Sequence, residues 1–241
     1  MPYRRLPNTD VARIRAMQKA LQKTEGVPPF NLPFSVSIHQ ELKYFFPEFK
    51  QALQFQKEAL ERQNLKQKKH QESFKKARLY VSHFIQVLNF AIIRGELKPE
   101  TRAIFGLDED ERKLPLLNSE KDLIEWGDRL IKGEYTRLTS GQTPITNPTI
   151  ARVKVHYEDF LKIHQSQKYL QETHTKSAEK IVELRNKADQ IIAQLWNEIE
   201  DNFSDLPAEE KREQAENYGL VYVFRKNERL MFRNLKLGVV K

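Results

Sequence analysis

The 241-residue chain contains no cysteine. Disulfide bonds, thiolate catalysis and cysteine-ligated zinc sites are therefore excluded. Glycine is also scarce, at 8 residues. The sequence is instead rich in Leu, Ala, Lys, Glu and Gln, which favour helix because they lose little side-chain freedom there. Together these features predict an all-α protein without covalent cross-links.

Long hydrophobic runs are missing as well. Apolar clusters such as FAII at 90–93 are much too short to cross a bilayer. The first twenty residues lack the apolar stretch of a secretory signal. Aromatic residues make up 10% of the chain, which argues against disorder. We therefore expect a folded cytoplasmic protein that has no membrane partner.

The common motifs of catalysis and cofactor binding do not occur. The sequence has no glycine-rich phosphate loop, no H-E-x-x-H and no G-x-S-x-G. It also lacks the Glu-x-x-His pairs of di-iron bundles. The acidic run at 108–111 lacks the ligand spacing of an EF-hand loop. The sequence thus predicts no catalytic residue, no cofactor and no metal site, and a site assembled from residues distant in sequence stays an alternative.

Positive charge is in excess and unevenly distributed. The formal net charge is +8, and the segments 57–78 and 221–241 are both strongly basic. Such segments fit nucleic acid, an anionic surface or an acidic partner. The candidate contact residues are Lys66, Lys68, Lys69 and Lys75 in the first segment, and Arg225, Lys226, Arg229 and Arg233 in the second.

Two halves of the chain resemble each other. Residues 38–61 align without a gap with 149–172, so that Phe49 falls on Phe160 and Glu61 on Glu172. We interpret the similarity as an internal duplication.

The duplicated units would be 1–112 and 113–220. Each has a short helix, a proline-containing loop, a long helical region and a closing short helix. The closing helices end at Gly106 and Gly219, where a glycine provides a left-handed C-cap.

Each long helical region is interrupted by a polar stretch. Apolar residues recur at helical spacing on both sides of 61–73, but within that stretch only Leu65 is apolar. A helix with no buried face for three turns must either project alone or turn. Because one continuous helix over 48–94 would be about 70 Å long, we predict turns at 61–73 and at 171–177.

These turns give four helices of similar length, at 38–62, 72–95, 148–172 and 177–205. The predicted fold is a four-helix bundle made of two duplicated helical hairpins. A long helical crossover, with its own helix at 119–132, joins the hairpins. The tail at 221–241 is predicted to form a small C-terminal β-hairpin, because β-formers alternate from 220 to 237.

Trp126 and Gly127 form the most distinctive local motif. Glycine inside a helix costs about 1 kcal/mol, and a close helix crossing would explain that cost. Trp126 either anchors the crossover helix onto the bundle or contacts a partner. His156 and His164 lie on one helix face and align with Phe45 and Leu53, which favours packing roles over metal ligation.

The function predicted from these observations is a non-enzymatic helical scaffold or protein–protein interaction module. Its partner would be an unknown protein or a second copy of the chain. The alternative is nucleic-acid binding through the basic hairpin tip and the basic C-terminal hairpin. An enzyme whose site combines both copies is a third hypothesis.

Overall fold

A computed structural model describes residues 2–109 and 113–224 of the chain. This part is mostly helical, as the composition predicts, and contains one small antiparallel sheet. No helix within the described residues is both long and apolar enough to cross a membrane. The helices are α1 Asp10–Thr24, α2 Val36–Ile93, α3 Thr101–Ile104, α4 Glu120–Thr139, α5 Ile150–Asn202 and α6 Ala208–Asn217, and the strands are β1 Tyr3–Arg4 and β2 Tyr222–Val223.

The two predicted turns are wrong. Helix α2 is 58 residues long and runs through 61–73, and α5 is 53 residues long and runs through 171–177. The two hairpins of the predicted bundle are therefore not formed.

The polar stretches are largely exposed, and burial resumes toward the end of each stretch at polar residues, where hydrophobicity gives no signal. His70 and Ser73 of α2 are buried, and so is Ser177 of α5. The Ser73 hydroxyl donates to the carbonyl oxygen of His70 at 2.8 Å, so that it is satisfied within its own helix.

The first compact unit comprises residues up to 58 and residues from 175 onward. Its core contains side chains from α1, the first part of α2, the last part of α5 and α6. Most positions where the apolar spacing predicts a core face on these parts of α2 and α5 are buried: Ile38, Leu42, Phe45, Phe49, Ile181, Leu184, Leu195 and Ile199. The predicted core positions Ala52, Leu53, Ala178 and Phe203 are only partly buried.

Two bidentate ion pairs connect α1 with α5 in this unit. The Arg185 guanidinium donates to both Asp10 carboxylate oxygens at 2.8 and 2.7 Å. The Arg13 guanidinium donates to both Asp189 oxygens at 2.8 Å. The hydrogen bonds from Arg185 are the main reason that the pKa of Asp10 is lowered, against the opposing effect of its burial.

The segment predicted to begin the C-terminal hairpin forms a strand that pairs with the N-terminal strand β1. Within the described residues, β2 pairs antiparallel with β1, with Tyr3 opposite Val223 and Arg4 opposite Tyr222. The Glu200 carboxylate accepts hydrogen bonds from the Tyr222 hydroxyl at 2.6 Å and from Arg4 at 2.8 Å. The rest of the predicted hairpin lies outside the described residues.

The second compact unit comprises residues 59–174. Its core contains side chains from the second part of α2, α4 and the first part of α5, together with Phe105 and Leu107. Of the core positions predicted for α2 after the polar stretch, Ala77, Val81, Phe84, Leu88 and Ala91 are buried, whereas Phe74 is partly buried. Each compact unit thus draws residues from both of the sequence segments 1–112 and 113–220.

The close helix crossing predicted at Gly127 is confirmed. A Cβ atom built on Gly127 of α4 would lie 2.3 Å from two ring carbons of Tyr157 of α5. The Tyr157 hydroxyl donates to the carbonyl oxygen of Ile124 at 2.8 Å. Only glycine at position 127 lets the tyrosine ring lie against the α4 backbone.

Candidate functional site

Three side chains with metal-ligand chemistry converge in the second unit. His70 of α2 places Nε2 3.2 Å from Oε1 of Glu120. His164 of α5 places Nδ1 3.3 Å from Oε2 of the same carboxylate. The two histidine nitrogens lie 3.4 Å from each other. We call these three residues the His–Glu–His cluster.

The sequence fixes the position of Glu120 through the start of α4. Ser119 is the N-cap, and its hydroxyl accepts from the Asp122 amide at 3.1 Å. The Asp122 carboxylate in turn accepts from the Ser119 amide at 3.2 Å, which completes a capping box. Glu120 is therefore the first residue of α4, where a carboxylate is favoured by the helix dipole.

Aromatic packing orients the two imidazoles. The His70 and His164 rings stack with centroids 5.6 Å apart. Phe160 lies one turn before His164 on α5, and its centroid is 6.0 Å from that of His70 and 5.5 Å from that of His164. The cluster therefore has an apolar wall on one side.

Solvent reaches the cluster from its other side. The side-chain exposure is 11% for His70, 25% for His164 and 45% for Glu120. One turn beyond His164, Gln167 has a buried Oε1 atom with no hydrogen-bond partner among the described residues. The cluster is thus half enclosed, with an open side next to the carboxylate.

The predicted basic tip lies on the outer surface of an unbroken helix. Leu65, Lys69, Glu72, Lys76 and Leu79 are spaced i, i+4, i+7, i+11 and i+14, so they share one face of α2. Lys68 and Lys75 lie beside this line, and all seven residues are exposed. We call these seven residues the lysine face.

The lysine face contains both positively charged and exposed apolar side chains. Leu65 is 80% exposed and Leu79 is 62% exposed. In the described part of the chain, the lysines of this face form no salt bridge. Lys66 is also exposed and lies on the flank next to Lys69.

The other predicted contact residues are Trp126 and four basic residues of the C-terminal segment. Trp126 is partly buried and packs against the core of the second unit, with the Arg129 guanidinium 4.9 Å from its ring centroid. This contact fits the anchoring role predicted for Trp126. The residues Arg225, Lys226, Arg229 and Arg233 lie outside the described residues.

His156 and His164, to which the sequence assigns packing roles, have different surroundings in the structure. His156 stacks on Tyr80 at a centroid distance of 4.1 Å, as a packing residue would. Burial is the main cause of its lowered pKa, with Lys76 and Arg152 adding to it. His164 belongs instead to the His–Glu–His cluster.

Sequence reasoning missed the cluster because its members are 50 and 44 residues apart. One signal could have identified His70. Counting back from Ala77, His70 occupies the same core-facing line of α2, seven residues earlier. A histidine at a core-facing position inside a polar stretch indicates that it has a polar partner there.

The chain matches no protein-family model, and comparisons with curated proteins and with solved structures give no match.

Proposed function

We propose that this protein is a non-enzymatic helical interaction module that binds an acidic, amphipathic helical segment of a partner protein through the lysine face of α2. The observation that carries the proposal is the exposure of Leu65 and Leu79 on the same helical face as four lysines. A partner helix would remove both leucines from water and place its carboxylates against the lysines.

The two kinds of side chain contribute differently to such a complex. Burying the leucines supplies affinity, because the free energy scales with the apolar area removed from water. The lysines accelerate encounter and select acidic partners over basic ones. Since only Glu72 opposes the lysines on this face, the face would repel a second copy of itself.

Nucleic acid is the second candidate, favoured by the same lysines. Phosphates would neutralise them, but a phosphate backbone offers no apolar surface to the leucines. The lysine face also contains no aromatic residue on which a base could stack. A protein partner therefore fits the whole face, whereas nucleic acid fits only its charge.

Fluorescence anisotropy with a labelled helical peptide tests the proposal. The peptide carries leucines at alternating spacings of three and four residues, flanked by glutamates. We expect binding that is weakened on the order of 100-fold in Leu65→Gln/Leu79→Gln, because the two changes together remove about 3 kcal/mol of burial energy. The Lys68→Glu/Lys75→Glu variant should bind less tightly and with less dependence on salt.

A matched control variant makes the same change in net charge, two lysines to two glutamates, on another helix. Lys162→Glu/Lys168→Glu replaces two exposed lysines of α5 and should leave peptide affinity within about twofold of the wild type. Failure of the wild type to bind the peptide would contradict the proposal. Salt-dependent binding of a mixed-sequence 30-mer, lost equally in both lysine variants, would favour a diffuse nucleic-acid interaction instead.

We also propose that the chain arose by duplication of one helical segment. The order of short helix, long helix and short helix occurs in α1 to α3 and again in α4 to α6. Gly106 and Gly219 follow α3 and α6, and both have positive φ, at 69° and 97°. Superposition of the two segments in an experimental structure tests this proposal, and core positions that fail to coincide at the offset of 111 would contradict it.

A further inference from the structure

We propose that His70, Glu120 and His164 bind one divalent transition-metal ion of the zinc class. This inference is independent of the lysine face and concerns a separate activity of the chain. Among the described residues, these three side chains have ligand atoms that all lie within 4.8 Å of one another, which is close enough to share an ion.

The spacing of the ligand atoms matches a tetrahedral site. Zinc binds histidine nitrogen at about 2.0–2.1 Å, so two ligands of a tetrahedron lie roughly 3.3–3.4 Å apart. The two histidine nitrogens are 3.4 Å apart. Each of them lies 3.2 or 3.3 Å from one oxygen of Glu120. A small rotation of the carboxylate therefore presents either one or both oxygens to an ion between the rings.

The arrangement of the three ligand atoms also favours a cation. If both imidazoles donate to Glu120, two N–H groups converge on one carboxylate while lying 3.4 Å from each other. If either nitrogen is unprotonated, it has no hydrogen to donate to the carboxylate. One divalent ion between the rings is attracted by the lone pairs of all three ligand atoms at once.

The scaffold holds the ligands on three separate helices. His70 comes from α2, Glu120 from the first turn of α4 and His164 from α5. The capping box at Ser119 fixes the start of α4, and Phe160 restricts the rotation of both imidazoles. Ligands on helices are held more rigidly than ligands on loops.

The donor set indicates which ions would bind. Two imidazole nitrogens and one carboxylate suit zinc and cobalt, whereas calcium and magnesium prefer ligand sets made entirely of oxygen. Because Glu120 is 45% exposed, a water molecule could complete the coordination as the fourth ligand. An ion bound there would join α2, α4 and α5 and stabilise the second unit.

Zinc competition against a chromophoric chelator tests the proposal on the full, tag-free chain after treatment with EDTA. We expect one equivalent of zinc per chain in the wild type. His164→Gln and Glu120→Gln should each lose about 100-fold or more in affinity, since changing residues that only hydrogen-bond to metal ligands already costs 10- to 100-fold. If the histidine variant fails to fold, the zinc affinity of the Glu120 variant still tests the site, because a substitution at this half-exposed side chain disturbs the core less.

Matched controls use histidines outside the cluster. His156 lies eight residues before His164 on α5, and His83 lies on the exposed surface of α2. His156→Gln and His83→Gln should retain zinc affinity within about twofold. Zinc should also raise the melting temperature of the wild type and of both control variants, but not that of His164→Gln, because only a site present in the folded state stabilises the fold.

Cobalt gives a spectroscopic readout of the same site. Substitution with Co²⁺ should produce the intense visible absorption of a tetrahedral cobalt centre, and Glu120→Gln should abolish it. The proposal is overturned if the EDTA-treated wild type binds no zinc at micromolar concentration. It is overturned equally if His164→Gln and Glu120→Gln bind zinc as tightly as the wild type.

Discussion

Tyr157 of α5 lies directly against the backbone of Gly127 in α4, with its hydroxyl donating to the carbonyl oxygen of Ile124 at 2.8 Å. A methyl group at position 127 would overlap the ring. Either the ring must move and lose its hydrogen bond, or the two helices must separate.

We therefore expect Gly127→Ala to destabilise the protein by about 1–3 kcal/mol, the usual cost of overpacking, although alanine favours helix. Urea unfolding measures the change. Combining Gly127→Ala with Tyr157→Ala should cost less than the sum of the single changes, because removing the ring removes the overlap. A stabilised Gly127→Ala variant would show that the two helices do not cross at this point.

Glu134 and Arg137 form an ion pair in α4 whose side chains are both fully buried, at 2.6 Å. Glu134 also accepts from the Ile145 amide at 2.8 Å, and Arg137 donates to the carbonyl oxygen of Thr143 at 3.1 Å. Glu134→Gln would leave the guanidinium buried without a counter-charge. We expect a loss of about 3–5 kcal/mol in the free energy of unfolding.

The same helix provides the control for this change. Asp128 and Lys132 form a pair at 2.7 Å whose side chains are 50% and 75% exposed. Asp128→Asn should change the stability by less than about 1 kcal/mol, because solvent screens the pair. Equal effects of Glu134→Gln and Asp128→Asn in thermal or urea unfolding would mean that the Glu134–Arg137 pair is not buried.

The Asp10–Arg185 pair makes stability depend on pH. Because the pKa of Asp10 is lower in the folded protein than in the unfolded chain, the unfolded state binds more protons in acid. The contribution of this carboxylate is fully present above the unfolded pKa of about 3.9. It is lost as the pH falls through the folded pKa.

Urea unfolding of the wild type and Asp10→Asn at several pH values measures this contribution. We expect the wild type to be the more stable protein at pH 7, and the difference to shrink as the pH falls below about 4. Asp201→Asn, at an exposed position of α5, is the control. A wild-type advantage that persists undiminished at the lowest pH would show that the charge of Asp10 does not stabilise the fold.

Much of the helical register could be predicted from the sequence. The apolar spacing at Leu42, Phe45 and Phe49 predicts a buried face, and all three are buried. Gly127 predicts a close crossing because glycine in a helix is unfavourable unless something requires its lack of a side chain. These inferences are local, since they depend only on the periodicity or on the conformational cost of one residue.

The continuity of α2 and α5 could not be predicted in the same way. The periodicity of apolar residues stops at 61–73, so the pattern resembles that of a turn. In the structure residues 61–69 are not buried, and burial resumes at His70, which lies 3.2 Å from Glu120, and at Ser73, whose hydroxyl donates to the carbonyl oxygen of His70. Hydrophobicity therefore failed as a marker of burial at the place where the interior is polar.

The His–Glu–His cluster could not be predicted because it depends on which parts of α2 and α5 lie side by side. The sequence gives the face of each helix on which His70 and His164 lie, but not the register between the helices. The stacking of these two rings beside Phe160 shows that register directly.

The unbroken course of α2 through 61–73 is the central claim, because the lysine face exists only if Leu65 and Leu79 lie on one helix. The absence of native cysteine allows two spin labels to be attached uniquely at Glu61→Cys and Lys75→Cys, both exposed positions of α2. Electron paramagnetic resonance then measures the distance between the labels. A continuous helix predicts a narrow distribution near about 21 Å between the two backbone positions, whereas a distribution near about 10 Å, the spacing of adjacent helices in a hairpin, would contradict it.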